Sequence, residues 1–291
     1  MSTAILFPGQ GSQSVGMGRE VSASFSGADA IWQTANGILS YDLRQLCFDG
    51  PDDQLKNTLH AQPALLTVGV LHFEAHRAEF QAAMTAGHSL GEYTALVAAG
   101  ALAFEDALKL VKRRAELMAA APAGAMAALI GLADERLEGV LQSASAGGEI
   151  VAANYNSPGQ VVVSGAPAAI ELAMAQAKVQ GAKMAVKLPV SGAFHSPLMR
   201  DAGREMSELI DAAPFRDAQI PVYQNTTASG ATDVATLKAA LKGQMTGPVR
   251  WSETIAAMIE AGADEFIELE PGKVLTGLVK RTDKTVELRN L

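Results

Sequence analysis

Residues 87–91 read Gly87-His88-Ser89-Leu90-Gly91. They match G-x-S-x-G, a sharp strand-to-helix turn that exposes a serine hydroxyl. The two glycines lack Cβ atoms, so strand and helix can close around the turn. The flanks supply both elements. Ala82-Ala83-Met84-Thr85-Ala86 suits a short buried strand, and Leu90–Ala99 is a run of good helix formers stopped by Gly100. A helix starting beside Ser89 points free N–H groups and the positive end of its dipole at the serine, where an oxyanion would form. The plain alternative is a glycine-rich turn with an N-capping serine, so the rest of the chain must decide.

Outward from the turn, strands alternate with helices. Ala4-Ile5-Leu6-Phe7-Pro8 predicts a buried strand, followed by the loop Gly9-Gln10-Gly11-Ser12-Gln13 and by helical patterns over 16–38, 61–79 and 104–121. Such alternation predicts an α/β core with a mainly parallel sheet. From Gly124 the rhythm changes. Strands are predicted at Ala125–Leu132, Glu149–Asn154, Gln160–Ser164 and Lys183–Val190, and helices at Asp134–Ser145 and Pro167–Gln180. The turn Asn156-Ser157-Pro158-Gly159 joins the middle strands. That order is βαββαβ, a ferredoxin-like unit. The main layer then resumes with a helix at 197–212, a strand near Pro221–Tyr223, helices near 234–245 and 251–262, a strand near Glu265–Leu269 and a helix after Pro271-Gly272. The expected division is a large subdomain of 1–124 with 191–291 and a small one of 125–190.

Composition narrows the function. The chain has 291 residues, 48% hydrophobic and 19% charged, with a net charge of −8, which suits a globular enzyme and disfavours nucleic-acid binding. Met1–Pro8 lacks the basic start and long apolar run of a secretory signal, and no run approaches a membrane span. A cytoplasmic protein is expected. Cys47 is the only cysteine, and with five scattered histidines it argues against structural zinc. Basic residues that could cluster are Lys112-Arg113-Arg114, Lys183 with Lys187, Arg200 with Arg204, and Lys280-Arg281.

A serine nucleophile needs a base. His60, His72 and His76 fall in or beside a predicted helix, where packing or surface roles are expected. His88 adjoins Ser89, but successive strand residues point to opposite faces. His195, in Gly192-Ala193-Phe194-His195-Ser196-Pro197, sits where the small unit returns to the large one, and such junctions form clefts.

At this point the chain resembles the malonyl-CoA:acyl carrier protein transacylases of fatty acid synthesis and the related acyltransferase domains of polyketide synthases. The motifs are Phe7-Pro8-Gly9-Gln10-Gly11-Ser12-Gln13, Gln62-Pro63-Ala64-Leu65, Gly87-His88-Ser89-Leu90-Gly91-Glu92-Tyr93, Arg114, Asn154-Tyr155-Asn156-Ser157-Pro158-Gly159-Gln160, Ala193-Phe194-His195-Ser196 and Pro271-Gly272-Lys273-Val274-Leu275. The resemblance spans nearly the whole chain and implies an α/β-hydrolase-like core with a ferredoxin-like insert.

It also implies roles. Ser89 would accept the acyl group and His195 would be its base. The backbone amides of Gln10 and Leu90 would form the oxyanion hole. Arg114 would bind the malonyl carboxylate through paired, charge-assisted hydrogen bonds. Gln62 and Asn156 would support the site. Phe194 would fill the space that an α-methyl needs. Where some members have glutamine before tryptophan, this chain has Arg250-Trp251. The family contact to the histidine, a backbone carbonyl, is placed at Arg250. No cofactor is implied beyond malonyl-CoA as substrate and the phosphopantetheine carried by the partner, an acyl carrier protein that is strongly acidic in this family. The carrier would dock on a local basic patch, for which Lys183, Lys187, Arg200 and Arg204 are candidates. Neither nucleic acid nor membrane is an expected partner, and a monomer is expected.

Rival readings share the fold. A polyketide-synthase or malonate-decarboxylase acyltransferase would use nearly the same chemistry. A serine esterase or thioesterase needs a carboxylate and then a histidine downstream of the serine. Asp134, Glu135 and Glu138 lie between Ser89 and His195, but in the first helix of the insert. A non-catalytic scaffold would leave Ser89, His195, Arg114 and Gln10 without a use.

Overall fold

The computed structural model describes residues 2–190 and 192–291. Its strands, in chain order, are β1 (Thr3–Phe7), β2 (Ala82–Gly87), β3 (Ala125–Ile130), β4 (Ile150–Ser157), β5 (Gln160–Gly165), β6 (Met184–Lys187), β7 (Val222–Tyr223), β8 (Gly230–Ala231), β9 (Glu265–Glu268) and β10 (Glu287–Asn290). They form two sheets. The first has six strands in the order β10-β9-β1-β2-β7-β8. Its neighbours run parallel except for the short β7–β8 pair.

Strand β1 shows why the main sheet is buried on both faces. All five of its residues are buried, as expected for a parallel strand covered by helices on either side. With a side-chain period of two, Ile5 and Phe7 join a cluster with Leu65, Tyr93, Leu108 and Val111. Ala4 and Leu6 join another with Trp251, Ile255, Met258 and Phe266. Helices Thr58–His76, Gly91–Ala98 and Phe104–Ala119 cover the first face, and Trp251–Glu260 and Val274–Thr282 cover the second.

The second sheet is antiparallel, in the order β4-β5-β3-β6. Ala125, Ala127 and Leu129 of β3 pack on helices Leu137–Ala144 and Pro167–Val179, while Met126 and Ala128 turn to the main body. This is the expected ferredoxin-like order. Two bonds tie it down: Tyr155 N–H donates to the Val249 carbonyl at 2.9 Å, and Val249 N–H to that of Ala153 at 2.8 Å.

Several local expectations change. The pattern over 16–38 divides into helices Arg19–Ser24 and Ala28–Leu39, separated by Phe25-Ser26-Gly27. Helices Leu43–Asp49 and Asp52–Lys56 and strands β8 and β10 were not anticipated. Each is short, and Glu287–Asn290 carries polar residues at a sheet edge, where no apolar alternation marks it. Ser191, where the second segment of the large subdomain is expected to begin, lies outside the described residues. No helix among the described residues is long and apolar enough to cross a membrane.

Candidate active site

The turn at Ser89 is as tight as its glycines require. A Cβ on Gly87 would lie 1.9 Å from the carbonyl carbon of Gly91, and one on Gly91 would lie 2.1 Å from the carbonyl oxygen of Phe7. Ser89 itself has φ 51°, in the left-handed region that L-residues avoid. Asn225, two residues after β7, clasps this strained turn. Its Oδ1 accepts from Ser89 N–H at 2.7 Å and its Nδ2 donates to the Gly87 carbonyl at 2.7 Å.

His195 lies opposite, also strained at φ 57°. Its Nε2 is 2.7 Å from Ser89 Oγ, and its Nδ1 is 2.9 Å from the carbonyl oxygen of Gln244. A carbonyl only accepts, so Nδ1 carries the hydrogen and Nε2 is free to accept from the serine hydroxyl. Two residues held in costly backbone conformations and facing each other are a feature of functional sites. Burial, then the charge of Arg114, push the His195 pKa down from 6.5 to about 3, partly opposed by the bond to Gln244. The imidazole is therefore neutral and able to take a proton.

Arg114 projects from helix Phe104–Ala119 and is 1% exposed. Its Nη1 donates to Gln62 Oε1 at 2.6 Å, and its Nη2 to Gln244 Oε1 at 3.0 Å and Ser89 Oγ at 3.1 Å. Its Nε is buried with no partner among the described residues. Burial lowers its pKa, while Tyr93 and Glu92 raise it. Among the described residues no carboxylate is hydrogen-bonded to this guanidinium. Lys112 donates to the Ile38 carbonyl, and Arg113 pairs with Glu116 and Glu205.

The contact expected at Arg250 belongs to Gln244. The Arg250 carbonyl is already the first acceptor of helix Trp251–Glu260, taking Thr254 N–H at 2.8 Å and Thr254 Oγ1 at 2.9 Å. Its guanidinium turns outward to Glu253 and the carbonyls of Thr226 and Thr227. Arg250→Ala should thus remove an exposed ion pair, worth under about 1 kcal/mol. Steady-state acyl transfer is expected to stay within about threefold of wild type; a loss as large as that of His195→Ala would restore Arg250 to the site.

Gln244 is marked by nothing in the sequence, yet it touches Ser89, His195 and Arg114 together. Besides holding His195 and Arg114, its Nε2 donates to the Ser89 carbonyl at 2.9 Å and to Glu92 Oε2 at 2.8 Å. A glutamine at the end of a helix has no motif of its own, so only the folded chain reveals it.

The remaining candidates take distinct places. Gln10 lines the same cavity as Ser89 and His195, its side chain donating to Thr58 Oγ1 at 3.1 Å. Leu90 is fully buried at the start of helix Gly91–Ala98. Among the described residues nothing accepts a hydrogen bond from the Gln10 or Leu90 amide. Gln62 spans Arg114 and Met118, its Nε2 3.2 Å from Met118 Sδ. Asn156 Oδ1 lies 2.8 Å from His88 Nε2, so His88 faces the second sheet and not the serine hydroxyl. Phe194 lines the cavity beside His195, under Gly192. His72 is buried, stacked on His76 and 3.5 Å from Glu270. Of the basic patch, Lys187 pairs with Glu171 and Arg204 with Asp201, while Lys183 and Arg200 are exposed.

The cavity has a volume of about 330 Å³ and is open to solvent between the two sheets. Met126, Ala128, Val162 and Leu188 give it an apolar lining, and Ser89 and His195 also line it. No group of three or more metal-ligating side chains occurs among the described residues. The imidazole meets a carbonyl where a hydrolase triad has a carboxylate, and Asp134 instead accepts from Gly159 N–H at 3.4 Å.

A serine at a strand-to-helix elbow, paired with a neutral histidine beside a buried arginine, defines a class of acyl-transferring α/β proteins. Residues 5–289 match the acyl transferase domain family. The chain is 45% identical over 289 residues to the malonyl CoA-acyl carrier protein transacylase of Bacillus subtilis, covering 98% of this chain and 91% of that protein. An acyl carrier protein S-malonyltransferase from Vibrio cholerae superimposes with a TM-score of 0.96 at 42% identity, over 100% of this chain and 97% of that one. A malonyl-transacylase in complex with its type II polyketide acyl-carrier protein gives a TM-score of 0.95 at 36% identity, over 100% and 95%. The chain belongs to the malonyl CoA-acyl carrier protein transacylase family.

Proposed function

We propose that this protein moves malonyl groups from malonyl-CoA to the phosphopantetheine thiol of an acyl carrier protein, through a malonyl ester on Ser89, for fatty acid synthesis in the cytoplasm. The observation that carries this reading is Arg114. A guanidinium that is 1% exposed and hydrogen-bonded only to neutral oxygens is a desolvated charge awaiting an anion. It lies against the hydroxyl that would bear the acyl group. Malonyl supplies that anion and acetyl does not.

The steps follow from the geometry. His195 Nε2 accepts the Ser89 proton as Oγ attacks the thioester carbonyl. The oxyanion forms where the Gln10 and Leu90 amides are free, one such donor being worth roughly 3–4 kcal/mol. The tetrahedral intermediate collapses, the C–S bond breaks, and the imidazolium returns its proton to the CoA sulfur. In the second half the carrier thiol gives its proton to His195 and attacks the ester, and Ser89 Oγ leaves reprotonated. A carbonyl on Nδ1 stabilises the imidazolium less than a carboxylate would. That suits transfer to a thiol, which ionises far more readily than water. Nothing beyond the substrates is required. The cavity falls between a body formed by 1–124 with 191–291 and a smaller one formed by 125–190, which we take as the functional division.

Phe194 is assigned to excluding branched acyl groups. A pocket difference of one methyl is worth about 1–3 kcal/mol, so Phe194→Ser should raise methylmalonyl transfer relative to malonyl by about tenfold or more. An unchanged ratio of kcat/KM values would remove it from that role. The reading as a whole is tested with labelled malonyl-CoA and holo acyl carrier protein. Label on the carrier supports it, whereas release of free malonate at the same rate with and without carrier points to a thioesterase.

A further inference from the structure

Glu92, in the first turn of helix Gly91–Ala98, is 1% exposed, and the transfer steps above give it no part. Glu92 is surrounded by donors. Its Oε2 accepts from Gln244 Nε2 at 2.8 Å and from Asn225 N–H at 3.2 Å, and its Oε1 from Gln224 Nε2 at 3.3 Å. Those first two partners are the residues that hold the reacting groups. Asn225 clasps the Ser89 elbow through two bonds of 2.7 Å. Gln244 holds His195 through its carbonyl and Arg114 through its side chain. The two arrive from different parts of the chain, one after β7 and the other after helix Val234–Gly243; both touch the backbone of Ser89, and the Glu92 carboxyl group joins them a second time through a single oxygen.

The amide of Gln244 can face only one way. Arg114 has donors alone, so it takes Oε1, and Nε2 must find acceptors. Without Glu92 that amide keeps one acceptor, the Ser89 carbonyl, and Asn225 N–H loses its own. Burial raises the Glu92 pKa above the usual carboxylate range, opposed only in part by the donors of Gln244, Asn225 and Gln224 and the charge of Arg114.

We infer that Glu92 is a positioning residue that locks Asn225, and so the Ser89 elbow, to Gln244, and so His195 and Arg114. This rests on the proposed transfer through Ser89. A shift of about an ångström in a reacting group costs on the order of 10²-fold.

The test compares Glu92→Ala, Glu92→Gln and Glu92→Asp. The rate of malonyl transfer is expressed per Ser89 titrated by a covalent sulfonyl fluoride, so that loss of folded protein does not count. Wild-type protein run alongside must form malonyl-enzyme; if it does not, the proposed function fails, whatever the variants do. For Glu92→Ala, kcat per titrated serine is expected to fall about 100-fold with KM for malonyl-CoA changed much less. Glu92→Gln keeps an oxygen for Asn225 N–H and Gln244 Nε2 and should recover most of that loss. Glu92→Asp keeps the carboxyl group but withdraws it by one methylene, and should remain about tenfold slow; it carries the test if the alanine variant does not fold. Wild-type kcat per serine in the aspartate variant, or a glutamine variant slower than the aspartate one, would overturn the assignment.

Discussion

Arg114→Met should lower kcat/KM for malonyl transfer by about 10²–10³-fold and leave acetyl transfer as fast as in the wild type, or faster. Truncating one partner of a buried, hydrogen-bonded charge pair costs about 2–5 kcal/mol, and the pair here forms only when malonyl is bound. The methionine keeps the bulk of the side chain among Gln62, Tyr93 and Met118 and removes the charge. With acetyl in the site, the wild-type guanidinium is left without an anion, a penalty the variant lacks. The ratio of the two kcat/KM values is therefore the readout. An equal fall for both acyl groups would mean that Arg114 only supports the fold.

His195→Ala should slow acylation of Ser89 by about 10²–10⁴-fold, the usual worth of a positioned general base. The oxyanion donors and Arg114 remain, so residual transfer is expected. The pH dependence follows from burial. The base works when neutral, and its pKa is held at about 3 in the folded protein against 6.5 for an unperturbed histidine. Ser89 modification by a neutral sulfonyl fluoride should therefore be flat from pH 8 down to about 5. An acid limb centred near 6.5 would show a hydrated, ordinary imidazole. Stability moves with the same group. The unfolded chain binds this proton below about 6.5 and the folded chain only near 3, so the contribution from keeping His195 neutral is complete above 6.5 and is lost as pH falls through that window.

The residues that react were legible in the sequence because their chemistry dictates local pattern. Ser89 needs glycines two residues away on either side, and Gly87 and Gly91 leave no room for a Cβ. Arg114 falls on an amphipathic helix whose bounds, Phe104–Ala119, nearly match the periodicity over 104–121. The βαββαβ order of the second sheet followed from turn chemistry and apolar alternation. Residues that hold the reacting groups were not legible. Gln244 acts through its backbone carbonyl, which every residue possesses, and Asn225 through contacts 136 and 138 residues away. The resemblance places the contact at Arg250 through its neighbour Trp251, but the carbonyl before a helix is already committed to the helix. Leu43–Asp49 and Asp52–Lys56 were missed because five to seven residues show too little periodicity to separate a helix from a loop.

The central claim is that Ser89 accepts an acyl group chosen by Arg114. Intact-mass measurement of the protein after brief exposure to malonyl-CoA or acetyl-CoA tests it most directly. Wild-type protein should carry one malonyl group and little acetyl, Ser89→Ala should carry neither, and Arg114→Met should carry acetyl in preference to malonyl. Malonyl retained on the Ser89→Ala protein, or equal labelling of wild type by both thioesters, would contradict it.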